Sequence, residues 1–205
     1  LSNKAAVYIL STVVKEIKEL NNKGAVVLLS FGGAGATLPN PLPDPNDVYN
    51  AFVSFNDYLN KQAGTSRKQL VHGIDWDLEN GVNSQKVVEW MASVSFIFKN
   101  NNLFVSCAPQ STNFNPTIGT WTSGCWNCYV PLVAAMTGNG TPIDAIMVQW
   151  YEPGGSHPAA DVTAISNFVN QYYNTSWKVS FPTETLPGYK STWPGIGSWL
   201  SKNKQ

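Results

Sequence analysis

Leu70-Val71-His72-Gly73-Ile74-Asp75-Trp76-Asp77-Leu78-Glu79 is an apolar run that ends in three carboxylates at every second position. On a β-strand, alternate side chains face the same way, so Asp75, Asp77 and Glu79 share one face while Ile74, Trp76 and Leu78 share the other. Like charges gathered at one strand end oppose folding and raise one another's pKa. Strand positions two apart lie roughly 6.5 to 7 Å apart at the backbone, so the carboxyl groups of Asp77 and Glu79 can share a proton. A carboxyl that keeps its proton near neutral pH is a general acid.

Working outward, the residues on either side alternate between helix and strand patterns. Val7, Ile9, Leu10, Val13, Val14, Ile17 and Leu20 recur at spacings of three and four, which predicts an amphipathic helix over Ala5 to Leu20 that stops near Gly24. Ala25 to Leu29, running into Ser30-Phe31-Gly32-Gly33, suits a strand buried on both faces. A proline-rich loop, Leu38 to Pro45, precedes a helix near Asp47 to Lys61, and Gln69 to Glu79 is the strand carrying the acidic row. Ser84 can cap the next helix, with Val87, Val88, Met91, Val94 and Phe98 on one side. There follow a strand from Leu103 to Ala108, a long loop to Cys128, a helix to about Met136 and a strand from Ile143 to Trp150. A helix from Asp161 to Tyr173 and a strand from Trp177 to Phe181 complete the pattern. Repeated βα units give a parallel sheet with right-handed crossovers, either open and doubly wound or closed into a barrel. In both, function gathers at the carboxyl ends of the strands, where Ser30 to Gly33, Asp75 to Glu79, Pro109-Gln110 and Gln149 to Glu152 fall.

Bulk properties narrow the partners. The 205 residues suffice for one sizeable core, and 1–205 reads as a single domain. Basic and acidic residues balance at 13 each, with no basic stripe to hold nucleic acid. No apolar stretch reaches the roughly 18 residues of a membrane span, and no signal-peptide pattern opens the chain. Frequent Trp, Tyr, Asn, Ser, Thr and Gly suit stacking on sugars and hydrogen bonding to them. The acceptor patterns Asn139-Gly140-Thr141 and Asn174-Thr175-Ser176 fit an extracellular, glycosylated chain. Cys125-x-x-Cys128 resembles half a zinc site, but no second pair or nearby His completes it, so neither a metal nor a cofactor is assigned. In an oxidising compartment a disulfide from Cys107 to one of these two is expected instead, with the partner undetermined.

A protonated carboxyl in a groove of aromatics and hydroxyls fits cleavage of a glycosidic bond, where an acid protonates the leaving oxygen. Ordinary glycosidases place a second carboxylate across the sugar ring, which one strand cannot easily supply. A calcium site or a solvated strand end is the plain alternative for the row. For Ser30 to Gly33 it is a tight turn, and for Trp121 and Trp126 it is loop packing in place of sugar stacking. Trp76 and Trp150 have the parity of the helix-facing side.

His72-Gly73-Ile74-Asp75-Trp76-Asp77-Leu78-Glu79 resembles the strand-four signature Asp-Gly-x-Asp-x-Asp-x-Glu of family 18 glycoside hydrolases, the chitinase family. Ser30-Phe31-Gly32-Gly33 resembles that family's strand-three Ser-x-Gly-Gly motif. Cys107-Ala108-Pro109-Gln110 and Val148-Gln149-Trp150-Tyr151 resemble strands five and six of its plant and fungal branch. The resemblance implies a TIM (β/α)8 barrel, a chitin or N-acetylglucosamine oligosaccharide substrate, and a retaining mechanism in which the substrate's own acetamido carbonyl is the nucleophile. Glu79 would be the acid, Asp77 would orient and stabilise the acetamido group, and Asp75 would bias the proton of Asp77. Tyr151 would donate to the acetamido carbonyl, with Gln149, Gly33, Gln110 and Trp121 contacting sugar. An endo-acting chitinase is the leading expectation. An endo-β-N-acetylglucosaminidase acting on N-glycans and a non-catalytic chitinase-like lectin are the alternatives.

Two departures accompany the resemblance. His72 replaces the signature's first aspartate, but its parity turns it away from the catalytic row, so the expected consequences concern packing. The chain supplies strands three to seven, whereas a closed barrel has eight strands in about 250 residues. Strands one, two and eight are therefore expected to be missing, with 1–205 a piece of a longer natural protein.

Overall fold

The computed structural model describes residues 3–33, 35–65, 69–79, 84–109, 129–147 and 149, with 163 and 167 as isolated positions, and side chains from residue 11 onward. Eight elements follow in the order α1 (Asn3–Asn22), β1 (Leu28–Gly32), α2 (Pro45–Ala63), β2 (Gly73–Asp77), α3 (Gln85–Asn100), β3 (Phe104–Cys107), α4 (Tyr129–Gly138) and β4 (Ala145–Ile146). The strands form one parallel sheet in the order β1-β2-β3-β4, so every described neighbour pair is joined through a helix. This is the parallel βα arrangement expected from the alternation of patterns, and it is consistent with a TIM-barrel-like α/β fold. The expected helix over Asp161 to Tyr173, apart from its two isolated positions, and the strand over Trp177 to Phe181 lie outside the described residues.

Local chemistry sets the helix ends. Asp44 caps α2, its side chain accepting from the Asn46 N–H at 2.8 Å, and Pro45 opens the helix where a missing N–H is harmless. Ser84 caps α3 as expected, accepting from the Val87 N–H. Val88, Met91, Val94 and Phe98 are buried against the sheet, while Val87 is half-buried. In α1, Val14 is buried and Ile17 packs on the core, but Val13 and Leu20 are exposed. The apolar stripe of this helix is thus only partly covered by α2.

The two faces of β2 meet different surroundings. Ile74 and Trp76 join Val105, Cys107 and residues of α3 and α4 in the core. Trp76, fully buried, lies 5.5 Å from the Trp90 ring and 5.7 Å from that of Phe31, and its Nε1 donates to Ser95 Oγ at 2.9 Å. The helix-facing placement expected for Trp76 is therefore observed. Gly73 is required by close approach, because a Cβ there would stand 1.9 Å from the Phe104 carbonyl oxygen.

Several strands are shorter than their patterns. Gln69 to Glu79 reads as one strand, yet the β2 ladder begins at Gly73. The reason is Asn56 of α2, whose buried Oδ1 accepts from the Leu70 and Val71 N–H groups at 3.0 and 3.2 Å, while its Nδ2 donates to the Val71 carbonyl at 2.9 Å. A side chain thus takes the place of a strand partner. β1 starts three residues later than its apolar run and is half-buried to exposed, where burial on both faces was expected, because it is an edge of the described sheet. β4 is confined to two residues, with Gln149 further on donating its N–H to the Pro109 carbonyl at 2.8 Å.

Replacing Asn56 by Leu strands two N–H groups and a carbonyl in a buried setting, and each unsatisfied group costs about 1–3 kcal/mol. The expected loss of unfolding free energy in urea is about 3 kcal/mol or more, with Asn56→Asp, which keeps the acceptor, losing less. A loss below about 1 kcal/mol for Asn56→Leu would refute the pinning role.

Candidate active site

The site is built in levels along β2. At the lower level, Ser30 of β1 and Ser106 of β3 stand in register on either side of Asp75. Ser30 Oγ donates to Asp75 Oδ2 at 3.0 Å and Ser106 Oγ donates to Oδ1 at 2.5 Å. Asp75 is only 7% exposed, and a carboxylate so deeply placed is tolerated because both oxygens receive hydroxyls.

Asp77 occupies the next level, opposite Gly32. A Cβ at Gly32 would lie 1.9 Å from the Asp77 carbonyl oxygen, at a φ of +132° that side chains avoid. Gly33 donates its N–H to the same carbonyl at 2.7 Å, and its missing side chain leaves room above the Asp77 carboxyl. Gln149 is 5% exposed and donates through Nε2 to Asp77 Oδ1 at 2.5 Å and to the Ala108 carbonyl at 2.6 Å. Both partners are acceptors, which fixes the orientation of the amide. Burial, then the charge of Glu79, then that of Asp75 push the Asp77 carboxyl from 3.8 to about 6, while the Gln149 hydrogen bond works in the opposite direction.

Above Asp77 the ladder gives way to side chains. The Ala108 N–H still donates to the Trp76 carbonyl at 2.8 Å. In a regular parallel pair the next bond would run from the Leu78 N–H to the Ala108 carbonyl. Instead the Leu78 N–H donates to the Tyr129 hydroxyl at 2.6 Å, and Gln149 takes the Ala108 carbonyl. The Tyr129 hydroxyl also lies 3.1 Å from the carbonyl oxygens of both Trp76 and Leu78, to either of which its single proton can be given.

Five residues expected at the site are therefore assembled at one strand end: Asp75, Asp77, Gln149, Gly33 and Glu79, the last half-buried two residues beyond β2. Tyr151, Gln110, Trp121 and Trp150 lie outside the described residues. His72 turns away from the row, its Nδ1 accepting from the Val27 N–H at 3.1 Å while its own N–H donates to the Val27 carbonyl at 2.7 Å. Its departure from the signature thus concerns strand pairing, in line with the expected packing role. The expected disulfide is corrected: Cys107 is a free thiol, fully buried on the helix side of β3. Burial and, secondarily, the Asp75 charge hold that thiol protonated well above the usual range. Among the described residues no group of three or more His, Cys, Asp or Glu could hold a metal ion. An apolar cavity of about 200 Å³ between Phe31, Leu38, Pro43, Trp76 and Trp90 lies on the helix side of the sheet, apart from the carboxylate row.

Tyr129 and Ser106 are the contributors that the sequence pattern does not assign, while Ser30 falls at this strand end through its motif but without a role. The serines have the right strand parity, but only the register between strands brings them to Asp75. Tyr129 follows a long loop, and no local signal ties it to β2.

The raised Asp77 pKa has a consequence for stability. Between pH 3.8 and about 6 the folded state binds more protons than the unfolded state, so this group lowers stability as pH rises through that window. Asp77→Asn removes the effect while keeping an acceptor for Gln149. Its Tm is expected to exceed wild type at pH 7 and to match it at pH 3. Equal values at both pH values would refute the perturbed carboxyl.

No family model matches the chain, and no curated protein sequence does either. Solved structures do show similarity. A glucosidase from Croceicoccus marinus superposes with a TM-score of 0.52 and 11% identity, covering 90% of this chain and 41% of that one. A GH18 chitinase from Pseudoalteromonas aurantia gives a TM-score of 0.46 and 22% identity, covering 78% of this chain and 55% of that one. The chain thus spans about half the length of these structures or less. At 11% identity the first of these likenesses concerns architecture alone, and it agrees with the parallel α/β sheet.

Proposed function

We propose that the chain carries the catalytic row of an endo-acting chitinase, a retaining glycoside hydrolase of family 18 type acting on β-1,4-linked N-acetylglucosamine polymers. The reading rests on the place of the Asp77 carboxyl at the carboxyl end of a parallel strand, where burial and the charges of Glu79 and Asp75 push it up to about 6. One proton held by two adjacent carboxyls is what the reaction needs. When the substrate's acetamido N–H docks on Asp77, that carboxyl serves as the anion and Glu79 carries the proton. Glu79 gives it to the glycosidic oxygen as the C1–O bond breaks, and the acetamido carbonyl oxygen bonds to C1 to give an oxazolinium ion. Asp77 stabilises the positive charge on nitrogen. Water then attacks C1, its proton returns to Glu79, and the configuration is retained. In this reading Tyr151 donates to the acetamido carbonyl and Gln149 fixes Asp77. Gly33 leaves space for the sugar, and Gln110 and Trp121 contact it. An extracellular location belongs to the same proposal, and Asn139 of the first glycosylation pattern is exposed.

The test incubates wild type and Glu79→Gln with chitin oligosaccharides and follows products and binding. Loss of a required acid lowers rates about 10²- to 10⁴-fold, so that loss with binding retained is expected. Equal product release from both proteins would sink the role of Glu79. Release from neither, with binding retained, would instead favour a lectin. The wild-type rate is expected to fall as pH rises through about 6, where Asp77 loses its proton. A flat profile across that range would contradict the shared proton.

A further inference from the structure

We propose that the Tyr129 hydroxyl is a positioning group that holds the end of β2 apart from β3 and so leaves the Ala108 carbonyl to Gln149, which thereby reaches Asp77. Two donors can be directed at that carbonyl. The Leu78 N–H is the one a regular ladder would use, and the Gln149 amide is the one observed. The Leu78 N–H is held off it because Tyr129, fully buried at the start of α4, already accepts that N–H at 2.6 Å. Its position near the Trp76 and Leu78 carbonyls brackets Asp77 on both sides, so one hydroxyl governs the backbone of the segment that carries the row. Gln149 in turn spans two acceptors with one nitrogen, and its bond to Ala108 holds the other hydrogen on Asp77 Oδ1.

Without the hydroxyl, the Leu78 N–H is left buried without a partner, and its nearest remedy is the Ala108 carbonyl. Closing that bond draws Leu78, and with it Asp77 and Glu79, toward β3, which carries Asp77 Oδ1 away from the Gln149 amide. Asp77 then loses the hydrogen bond that favours its ionised form and keeps its proton to higher pH. Among the described residues, the charged groups acting on Asp77 are Asp75 and Glu79, while β1 presents Ser30, Gly32 and Gly33 and β3 presents Ser106 and Ala108. None of these neighbours on β1 and β3 adds a charge that would mask the change.

The experiment follows the Asp77 carboxyl carbon by NMR titration in wild type, Tyr129→Phe, Gln149→Leu and the double variant. Tyr129→Phe keeps the ring in its slot, and its Asp77 midpoint is expected to rise by about half a unit or more. Gln149→Leu is expected to do the same, with the double variant no higher than Gln149→Leu alone, because both act through one contact. An unchanged midpoint in Tyr129→Phe, or fully additive shifts, would overturn the proposal. In the wild-type protein the Leu78 amide is expected to exchange as slowly as the ladder amides of β2, and rapid exchange would overturn it even if the variants failed to fold. The kinetic arm rests on the hydrolase reading: kcat on chitin oligosaccharides is expected to fall in Tyr129→Phe with KM held. Absence of hydrolysis by wild type would refute that reading while leaving the titration and exchange results to decide the role of Tyr129.

Discussion

The carboxylate of Asp75, held between one serine hydroxyl from each flanking strand, is the interaction on which the rest of the site depends. A charge at this depth is costly unless both its oxygens are satisfied, and Ser30 and Ser106 satisfy them. Because the two serines stand in register with it, the carboxylate also ties β1 and β3 to β2 at one level. Its charge then acts in two directions. It adds to the burial and the Glu79 charge that raise Asp77 one level above on the same face, and to the burial that keeps the Cys107 thiol protonated on the opposite face.

Above that level the sheet changes character. Regular pairing of β2 with β3 persists to the Trp76 carbonyl and the Ala108 N–H, after which Tyr129 and Gln149 side chains take over the exposed backbone groups. Gly32 and Gly33 do the corresponding work on the β1 side, letting that strand approach the Asp77 carbonyl without covering its carboxyl. The break in the ladder at the carboxyl end of β2 is thus made by specific donors and by missing side chains. Sites at the carboxyl ends of parallel strands are a general property of such folds, and here the means of making one can be read residue by residue.

Legibility in the sequence followed the range of the interaction. The βα order, the Ser84 cap of α3 and the helix-facing burial of Trp76 depend on neighbours a few positions apart, and local pattern exposes them. Strand ends depart from the apolar pattern wherever a distant side chain replaces a ladder partner, as Asn56 does below β2 and Tyr129 above it. The row Asp75, Asp77 and Glu79 was visible through strand parity, and the motif resemblance drew Gln149 and Gly33 to it. Ser106 and Tyr129 escaped because register between strands and the docking of α4 are long-range facts. Cys107 departs from expectation for a similar reason: its strand parity buries it under the helices as a free thiol.

The proposed reaction is a double displacement at C1 in which the substrate supplies the nucleophile to a row of carboxylates on one strand. The most direct measurement is the anomeric configuration of the first product released from a chitin oligosaccharide, read by proton NMR before mutarotation. The account requires the β anomer, because two displacements at C1 retain configuration. A first-formed α anomer would mean direct attack by water with a second carboxylate as base, and would contradict it.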